Sequence, residues 1–369
     1  MNKIQRVVVK IGTSTLTAGS KILSAPRLVE VARQIALLHA EKIQIVLVSS
    51  GAIAAGREEL GFPNLPPHLP TKQMLAAVGQ PRLMAAYGEY FKIYSIHTAQ
   101  VLLTRADLAD KHGYINARAT LEALLEQGII PIINENDTVA TDEIRIGDND
   151  NLSAQVATLI EADLLILLTD QEGLYTADPR SDPNAELIQV VGSEPFSLQL
   201  WQSVGGSVSG LGIGGMVTKL QAADLARHGG TAVVIADGAT PNVIVRLVHE
   251  ESIGTRLIAA ENKLESRKRR LISGSRTKAE IVIDAGAVKA LTRGGSLLPA
   301  GVLKANGTFE RGDSVRVVDG EKKNIAIGQT NYSAADLHPL CGQQSAEIES
   351  ILGYTFGDEV IHRDNLVML

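Results

Sequence analysis

The feature that most constrains this chain is an alternation, through its first two-thirds, between short β-branched runs and longer runs rich in Ala and Leu. The short runs are apolar and bounded by polar or glycine residues, so we interpret them as buried strands: Val7–Val9, Ile45–Val48, Ile129–Ile133, Leu164–Leu168 and Ala232–Ile235. The longer runs predict these helices: Pro26–His39, Ala52–Leu60, Lys72–Phe91, Ala117–Gln127, Leu152–Glu161 and Met216–His228. Such alternation specifies an α/β fold, a mostly parallel sheet sandwiched by helices.

The last part of the chain has a different pattern. After the charged stretch Lys263–Arg270, the segments EIVIDAG, GDSVRVVDG and NIAIGQT predict short strands separated by glycine-rich turns, and Ala335–Leu337 and Ser345–Leu352 predict short helices. A chain of 369 residues is also too long for one ordinary core. We therefore predict an α/β domain at 1–262, a linker at 263–274 and a small β-rich, barrel-like domain at 275–369.

Charge and cysteine content exclude some classes of protein. The chain has 35 Lys and Arg against 41 Asp and Glu, a net charge of −6, which argues against broad binding to nucleic-acid phosphates. Cys341 is the only cysteine, so neither an internal disulfide nor a cysteine metal cluster is possible. Because the polar residues Met1–Arg6 run directly into a strand and no apolar run approaches about 18 residues, we expect neither a signal peptide nor a membrane span, and a cytoplasmic protein.

Polar and glycine residues follow each predicted strand, at the edge where parallel sheets bind ligands. The first strand ends in Lys10-Ile11-Gly12-Thr13-Ser14 and the second in Ser49-Ser50-Gly51-Ala52. The next two end in Asn134-Glu135-Asn136-Asp137 and in Thr169-Asp170. Two further loops, Gly147–Asp150 and Gly212–Lys219, lead into helices. Glycine and serine at helix N-termini leave backbone N–H groups open to an anion, so these turns together predict a polyphosphate site.

Three motifs of other nucleotide-binding proteins are absent or lack their sequence context. A P-loop needs a Gly-Lys pair, and no such pair occurs in the chain. His362-Arg363-Asp364 spells the start of a protein-kinase catalytic loop but lacks its companion motifs, so we interpret it as chance. Gly210-x-Gly212-x-x-Gly215 matches a dinucleotide fingerprint, yet the preceding Ser203–Ser209 does not have the pattern of a strand.

Seven longer strings resemble one family specifically. VVVKIGTS, VSSGAIAAGR, LLTRADL, PIINENDTVAT, GDNDNLSA, LLTDQEGLYTADPR and GGMVTKLQAA occur in this order across residues 7–260. They resemble the bacterial glutamate 5-kinases of the amino-acid kinase family, in the longer form with a C-terminal PUA domain. The resemblance implies the transfer of a phosphoryl group from ATP to the γ-carboxylate of L-glutamate, the first step of proline synthesis. It also implies feedback inhibition by proline and a homo-oligomer.

The resemblance also implies roles for individual residues. Lys10 and Lys219 match the lysines that neutralise the transferring phosphoryl group, and Asp150 matches the carboxylate that holds them. Glutamate-binding positions are matched by Ser50, Asn134, Asp137 and Asn149. Nucleotide-binding positions are matched by Lys10, Gly12, Gly51, Thr169, Asp170, Ile213, Gly214, Gly215, Met216, Val217, Thr218 and Lys219.

Elementary chemistry agrees with these roles. A carboxylate oxygen is already a nucleophile, so the reaction needs no general base, only positioned positive charge and backbone dipoles. No carboxylate pair suggests a metal cage, so we expect Mg²⁺ to arrive on the ATP phosphates. The loop departs from the GTGGMSTK of better-known members, because Ile213 and Val217 replace Thr and Ser. We expect this to alter nucleotide affinity rather than chemistry.

Two rival functions are also compatible with the sequence. The first is phosphorylation of another amino-acid carboxylate on the same fold. The second is RNA binding, because PUA modules elsewhere bind RNA. The segment Ser275–Leu369 has 10 Lys and Arg and 12 Asp and Glu, a net charge of 10 − 12 = −2, which is a poor electrostatic match to RNA.

Overall fold

The computed structural model of the chain describes residues 3–66, 68–140, 149–205, 215–273 and 275–369. These residues divide into two compact units. The first contains the residues up to Asp110 and Asn116–Asn262, and the second contains Lys111–Ile115 and Lys263–Leu369. No helix among the described residues is long and apolar enough to cross a membrane.

An eight-stranded sheet forms the centre of the first unit. Its strands are β1 Arg6–Ile11, β2 Gln44–Ser49, β3 Thr98–Leu103, β4 Ile130–Glu135, β5 Leu164–Thr169, β6 Val190–Val191, β7 Ala232–Asp237 and β8 Thr255–Leu257. Their order across the sheet is β3-β4-β2-β1-β5-β7-β8-β6. Every neighbouring pair is parallel except β7 with β8, so the predicted mostly parallel sheet is confirmed.

The central strands are buried on both faces because helices cover the sheet. The helices assigned wholly or largely to this unit are Thr13–Thr17, Ala25–Ala40, Ala52–Glu59, Leu69–Lys92, Arg105–Ala109, Lys111–Glu126, Asn149–Leu159, Leu198–Ser203, Met216–His228 and Val243–Val248. All six helices predicted from the sequence are present. A core of Val, Ile, Leu and Ala side chains from β1, β2, β4, β5 and the helix Ala25–Ala40 fills the space between them.

Register brings the predicted site residues to one edge of the sheet. Lys10 pairs with Val48 of β2 and Leu167 of β5, and Asn134 near the end of β4 pairs with Leu102 of β3. Because these strands are parallel, the segments that follow them leave the sheet on the same side. The order β4-β2-β1-β5 therefore arranges Asn134, Ser50, Lys10 and Thr169 in a row.

A pair of glycines lets two helices on this unit cross with their backbones in contact. A Cβ atom placed on Gly56 would lie 1.9 Å from the carbonyl oxygen of Leu75, and one on Gly79 would lie 1.8 Å from that of Ala52. Any other residue at either position would collide with the opposite backbone. Glycine at these two positions therefore permits the close approach of the helices Ala52–Glu59 and Leu69–Lys92. The close approach also fixes the position of Gln80, which follows Gly79.

The second unit contains a five-stranded sheet, so the predicted second, β-rich domain is confirmed. Its strands are β9 Ser275–Ile283, β10 Val302–Asn306, β11 Ser314–Val318, β12 Asn324–Gln329 and β13 Leu366–Met368, in the order β10-β9-β11-β12-β13. Its helices are Lys263–Ser273, Ala285–Thr292, Ala334–Leu340 and Ile348–Leu352, with 3-10 turns at Pro299–Gly301, Ser345–Glu347 and Arg363–Asn365. Its own core includes Phe309, Val317 and Tyr332.

The segment predicted as a linker contains regular structure. Residues Lys263–Ser273 form a helix, and its Leu271 packs with Ile327 and Val367 of the second unit. The helix therefore clusters with the second unit, whereas the sequence placed these residues between the two domains. Its charged composition led to the prediction of a linker, since a single buried leucine, Leu271, gives little apolar signal.

Candidate active site

A buried carboxylate between two lysines forms the centre of the site. Asp150, in the first turn of the helix Asn149–Leu159, pairs through Oδ1 with Nζ of Lys10 on β1. Its other oxygen, Oδ2, lies 3.3 Å from Nζ of Lys219 on the helix Met216–His228. All three residues are less than a tenth exposed. We call these three residues the charged centre. They lie on one strand and two helices, and the first and last of them are 209 positions apart in sequence (219 − 10).

The charges determine the ionisation of Asp150. Burial alone would raise the pKa of its carboxyl, because a charge is poorly solvated in the interior. The two ammonium groups and the hydrogen bonds from Lys10 and Thr218 outweigh burial and lower the pKa below its ordinary value. The carboxylate is therefore ionised throughout the neutral pH range.

Thr218 contacts the charged centre through its side chain. Its hydroxyl Oγ1 lies 2.8 Å from Asp150 Oδ2 and 2.9 Å from the carbonyl oxygen of Gly215. The sequence predicted Thr218 for nucleotide binding, and in the structure its side chain is buried against these groups. Val217 is buried too, so residues 217 and 218 both direct their side chains into the unit.

Beside the charged centre lies a set of neutral polar groups, here called the amide cluster: Ser50, Gln80, Asn134 and Asn149. Asn149 Nδ2 donates to Ser50 Oγ and to Asn134 Oδ1, at 2.9 Å each. Asn134 Nδ2 donates to Gln80 Oε1 at 2.8 Å, and Asn134 Oδ1 also accepts the backbone N–H of Glu135. The cluster brings together three predicted glutamate-binding residues.

Gln80 was missed by the sequence analysis. It lies inside a helical run, far from the strand ends where ligand-binding residues were sought, and no motif marks it. The signal that could have found it is the pair Gly79-Gln80 within an otherwise Ala- and Leu-rich helix. A glycine there indicates a close backbone approach, and a glutamine beside it is then a buried polar group.

Asp137 follows β4 and is half-buried. Burial raises the pKa of its carboxyl to about 6. A cation bound against this carboxylate would offset the loss of solvation and lower the pKa again. The residue can therefore accept an ammonium group, and its affinity for one falls as the pH approaches 6 from above.

The nucleotide positions predicted after β1, β2 and β5 lie beyond the same edge of the sheet. Gly12 precedes the helix Thr13–Thr17, and Gly51 has φ of 111°, a backbone conformation that favours glycine. Thr169 donates to Oδ1 of Asp170 at 3.1 Å. A cavity of about 860 Å³ begins at Asp170 and reaches Gly215 and Met216. Sequence analysis had not assigned Tyr175, Gln199 and Gln202 to this site, although they also line the cavity.

Part of the predicted site lies outside the described residues. These positions are Ile213 and Gly214 of the glycine-rich loop and Gly147 and Asp148 of the GDND segment. Gly210 and Gly212 of the dinucleotide fingerprint lie outside them too. Among the described residues, no group of three His, Cys, Asp or Glu side chains could hold a metal ion.

Comparison with known families matches both units. The model of the amino acid kinase family matches residues 5–237, and that of the PUA domain matches residues 279–352. A solved isopentenyl phosphate kinase has a TM-score of 0.47 to this chain and 18% sequence identity, covering 69% of this chain and 100% of its own.

Curated relatives match along the whole chain. A glutamate 5-kinase from Shewanella sediminis is 54% identical over 366 residues, which is 99% of this chain and 98% of the relative. One from Shewanella oneidensis is 56% identical over the same lengths. One from Herpetosiphon aurantiacus is 53% identical over 363 residues, 98% of each chain.

Proposed function

The chain belongs to the glutamate 5-kinases of the amino acid kinase family, and from this we propose that it transfers the γ-phosphoryl group of ATP to the γ-carboxylate of L-glutamate. The products are ADP and γ-glutamyl phosphate, and the family resemblance makes this the first step of proline synthesis. The geometric observation that carries the proposal is the charged centre: its Asp150 follows Asn149 of the amide cluster, and its Lys219 lies on the helix that begins at Met216, a residue that lines the cavity.

The transfer moves no proton. An oxygen of the γ-carboxylate attacks the γ-phosphorus, and the bond from that phosphorus to the β,γ-bridging oxygen breaks, so ADP leaves with the bridging oxygen. The carboxylate is ionised at neutral pH. Catalysis therefore depends on bringing two anions together and on stabilising the charge that spreads over the transferring group.

Lys10 and Lys219 are proposed to supply that stabilisation. Two ammonium groups on either side of Asp150 are held at fixed positions before substrate binds, so little reorganisation is needed in the transition state. Asp150 is proposed to act as the positioning group, and Thr218 supports it through a hydrogen bond.

Glutamate is proposed to bind over Ser50, Asn134 and Asn149, with its ammonium group at Asp137. Two observations support this arrangement. The three polar residues already form one hydrogen-bonded cluster, and the half-buried carboxyl of Asp137 is poorly solvated without a cation.

ATP is proposed to bind beside Gly12, Gly51, Thr169 and Asp170 and against the loop 213–219. The cavity bounded by Asp170, Gly215 and Met216 supports this position. The replacement of a family Thr and Ser by Ile213 and Val217 is proposed to change nucleotide affinity. Mg²⁺ is proposed to arrive with the ATP phosphates, where it would neutralise part of their negative charge.

The remaining proposals concern domain organisation, inhibition by proline, oligomeric state and cellular location. We retain a catalytic domain at 1–262 and a PUA-like domain at 275–369. Proline is proposed to compete with glutamate near Ser50 and Asp137, because it carries the same α-carboxylate and an ammonium group. A homo-oligomer is proposed from the family resemblance, and the cytoplasm from the requirement for ATP.

The test is a glutamate-dependent ADP-release assay on the purified full chain, with hydroxylamine to trap the acyl phosphate as a hydroxamate. L-Glutamate should support turnover far better than aspartate or N-acetylglutamate, and excess glutamate should relieve inhibition by proline. A clear preference for either alternative acceptor would refute the proposed substrate, and inhibition unaffected by glutamate would place proline at a separate site.

A further inference from the structure

The orientation of every side-chain amide in the amide cluster follows from one backbone group. The N–H of Glu135 can only donate, so the atom of Asn134 that meets it at 2.9 Å must be the oxygen Oδ1. Asn134 therefore presents its Nδ2 donor to Gln80, and the atom of Gln80 that faces it must be the oxygen Oε1. By the same logic, Asn149 presents Nδ2 to Asn134 Oδ1.

These constraints leave two polar atoms without a partner among the described residues. Nε2 of Gln80 is buried with two N–H donors unused, and Oδ1 of Asn149 is a buried acceptor. Gln80 is only 8% exposed. A buried donor without an acceptor costs free energy comparable to a lost hydrogen bond, so an ordered water or a ligand is expected to complete it.

The order of strands indicates which part of the substrate meets Gln80. Phosphoryl transfer is proposed at the charged centre, where Lys10 lies on β1. Gln80 bonds to Asn134 on β4, two strands away in the order β4-β2-β1, on the same side as Asp137. The γ-carboxylate reacts at the charged centre, so the opposite end of glutamate, its α-carboxylate and ammonium group, extends toward β4.

On this basis, and resting on the proposed function, we propose that Gln80 is a specificity-determining residue whose Nε2 donates a hydrogen bond to the α-carboxylate of glutamate. The unpaired Oδ1 of Asn149 then accepts from a donor on the same substrate. Gln80 thereby selects acceptors with a free α-carboxylate over those in which this group is an amide.

The experiment compares two acceptors, L-glutamate and its α-amide, in which the α-carboxylate is replaced by CONH₂. The amide oxygen can still accept from Nε2, but a hydrogen bond to an ionised acceptor is about twice as strong as one to a neutral acceptor, so the wild-type chain should prefer glutamate in kcat/KM by about tenfold. Gln80→Glu keeps the size of the side chain and its acceptor for Asn134, but replaces the donor by an oxygen. It should reduce kcat/KM for glutamate by a similar factor and leave the α-amide within about threefold.

Two further variants separate this role from a structural one. Gln80→Met has no donor in any protonation state and should also lose the preference for glutamate. Gln34→Met is the matched control: Gln34 is 3% exposed and its Oε1 accepts from the backbone of Ile244, away from the site. It should lower the melting temperature but leave the ratio between the two acceptors unchanged.

The outcomes distinguish the two proposals. If the wild-type chain phosphorylates neither glutamate nor the α-amide, the proposed function is wrong. If it phosphorylates both with equal kcat/KM, Gln80 does not select the α-carboxylate, a conclusion that needs no folded variant. A ratio that stays at its wild-type value in folded Gln80→Met, or that falls equally in Gln34→Met, also overturns the inference.

Discussion

The charged centre and the amide cluster meet at successive residues, Asp150 and Asn149, yet they are built in opposite ways. The charged centre is closed, because the carboxylate of Asp150 pairs with two lysines before any ligand arrives. The amide cluster is open, because a donor on Gln80 and an acceptor on Asn149 have no partner among the described residues. Under the proposed function the two regions have two tasks: the first would serve any carboxylate acceptor, and the second would select which acceptor reaches it.

The strongest test of the closed region is Asp150→Asn. The change keeps the shape of the side chain but removes the negative charge that pairs with two buried lysines, and breaking such a buried pair costs about 3–5 kcal/mol in free energy of unfolding. Denaturant unfolding measures this loss. ATP should restore part of it, because its phosphates supply the missing negative charge. Asp178→Asn, which removes an exposed pair with Arg180, is the control and should leave stability unchanged; an equal loss in both variants would contradict the description of a closed, buried centre.

Lys10→Ala and Lys219→Ala test the same region through turnover. Each should lower kcat by about 10²–10³, since a positioned charge donor at a reacting group is typically worth that much, while circular dichroism reports an intact fold. Lys92→Ala, at the exposed end of the helix Leu69–Lys92, is the control. Unchanged kcat in either variant would remove that lysine from the mechanism.

On the substrate side, Asp137→Asn should raise KM for glutamate about 10- to 100-fold and change KM for ATP little. Burial raises the pKa of this carboxyl to about 6, so below pH 6 it is protonated and loses the charge that meets the ammonium group. In the wild-type chain KM for glutamate should therefore rise as the pH falls through 6, and this rise should be weaker in Asp137→Asn. A KM change confined to ATP would show that the two halves of the site had been assigned wrongly.

The smallest effect is expected from removing the second unit. Every described residue of the charged centre and the amide cluster belongs to the first unit, so a chain ending at Asn262 should keep kcat within a few-fold. The cut falls before the helix Lys263–Ser273 because that helix packs with the second unit. ADP release by the shortened chain is the measurement, and a folded but inactive fragment would place part of the site in the second unit.

The sequence predicts the structural features that depend on neighbouring residues. It does not predict those that depend on contacts between residues far apart in the chain. The strands β1, β2, β4, β5 and β7 were found because both of their faces are buried, so their apolar runs are uninterrupted. β3, whose residues are mostly half-exposed, and the two- and three-residue strands β6 and β8 gave no comparable run and were missed.

The same limit applies to the site. Lys10, Ser50 and Asn134 were predicted as site residues because they lie at or just after strand ends in recognisable strings. Gln80 was not, because its role depends on a hydrogen bond to a residue 54 positions away. Thr218 was identified, but the direction of its side chain, toward Asp150, depends on packing that no local pattern records.

The crossing at Gly56 and Gly79 has a consequence for how enzymes of this kind diverge. Neither glycine carries a chemical group, yet a single methyl group at position 79 would force the helix away from the backbone at Ala52 and carry Gln80 away from Asn134. Acceptor preference could then drift while every residue that touches the phosphates stayed the same. Two chains with identical reactive groups would then differ in the acceptors that they phosphorylate. The cause would be one methyl group at a position where the two helices leave room only for a hydrogen atom.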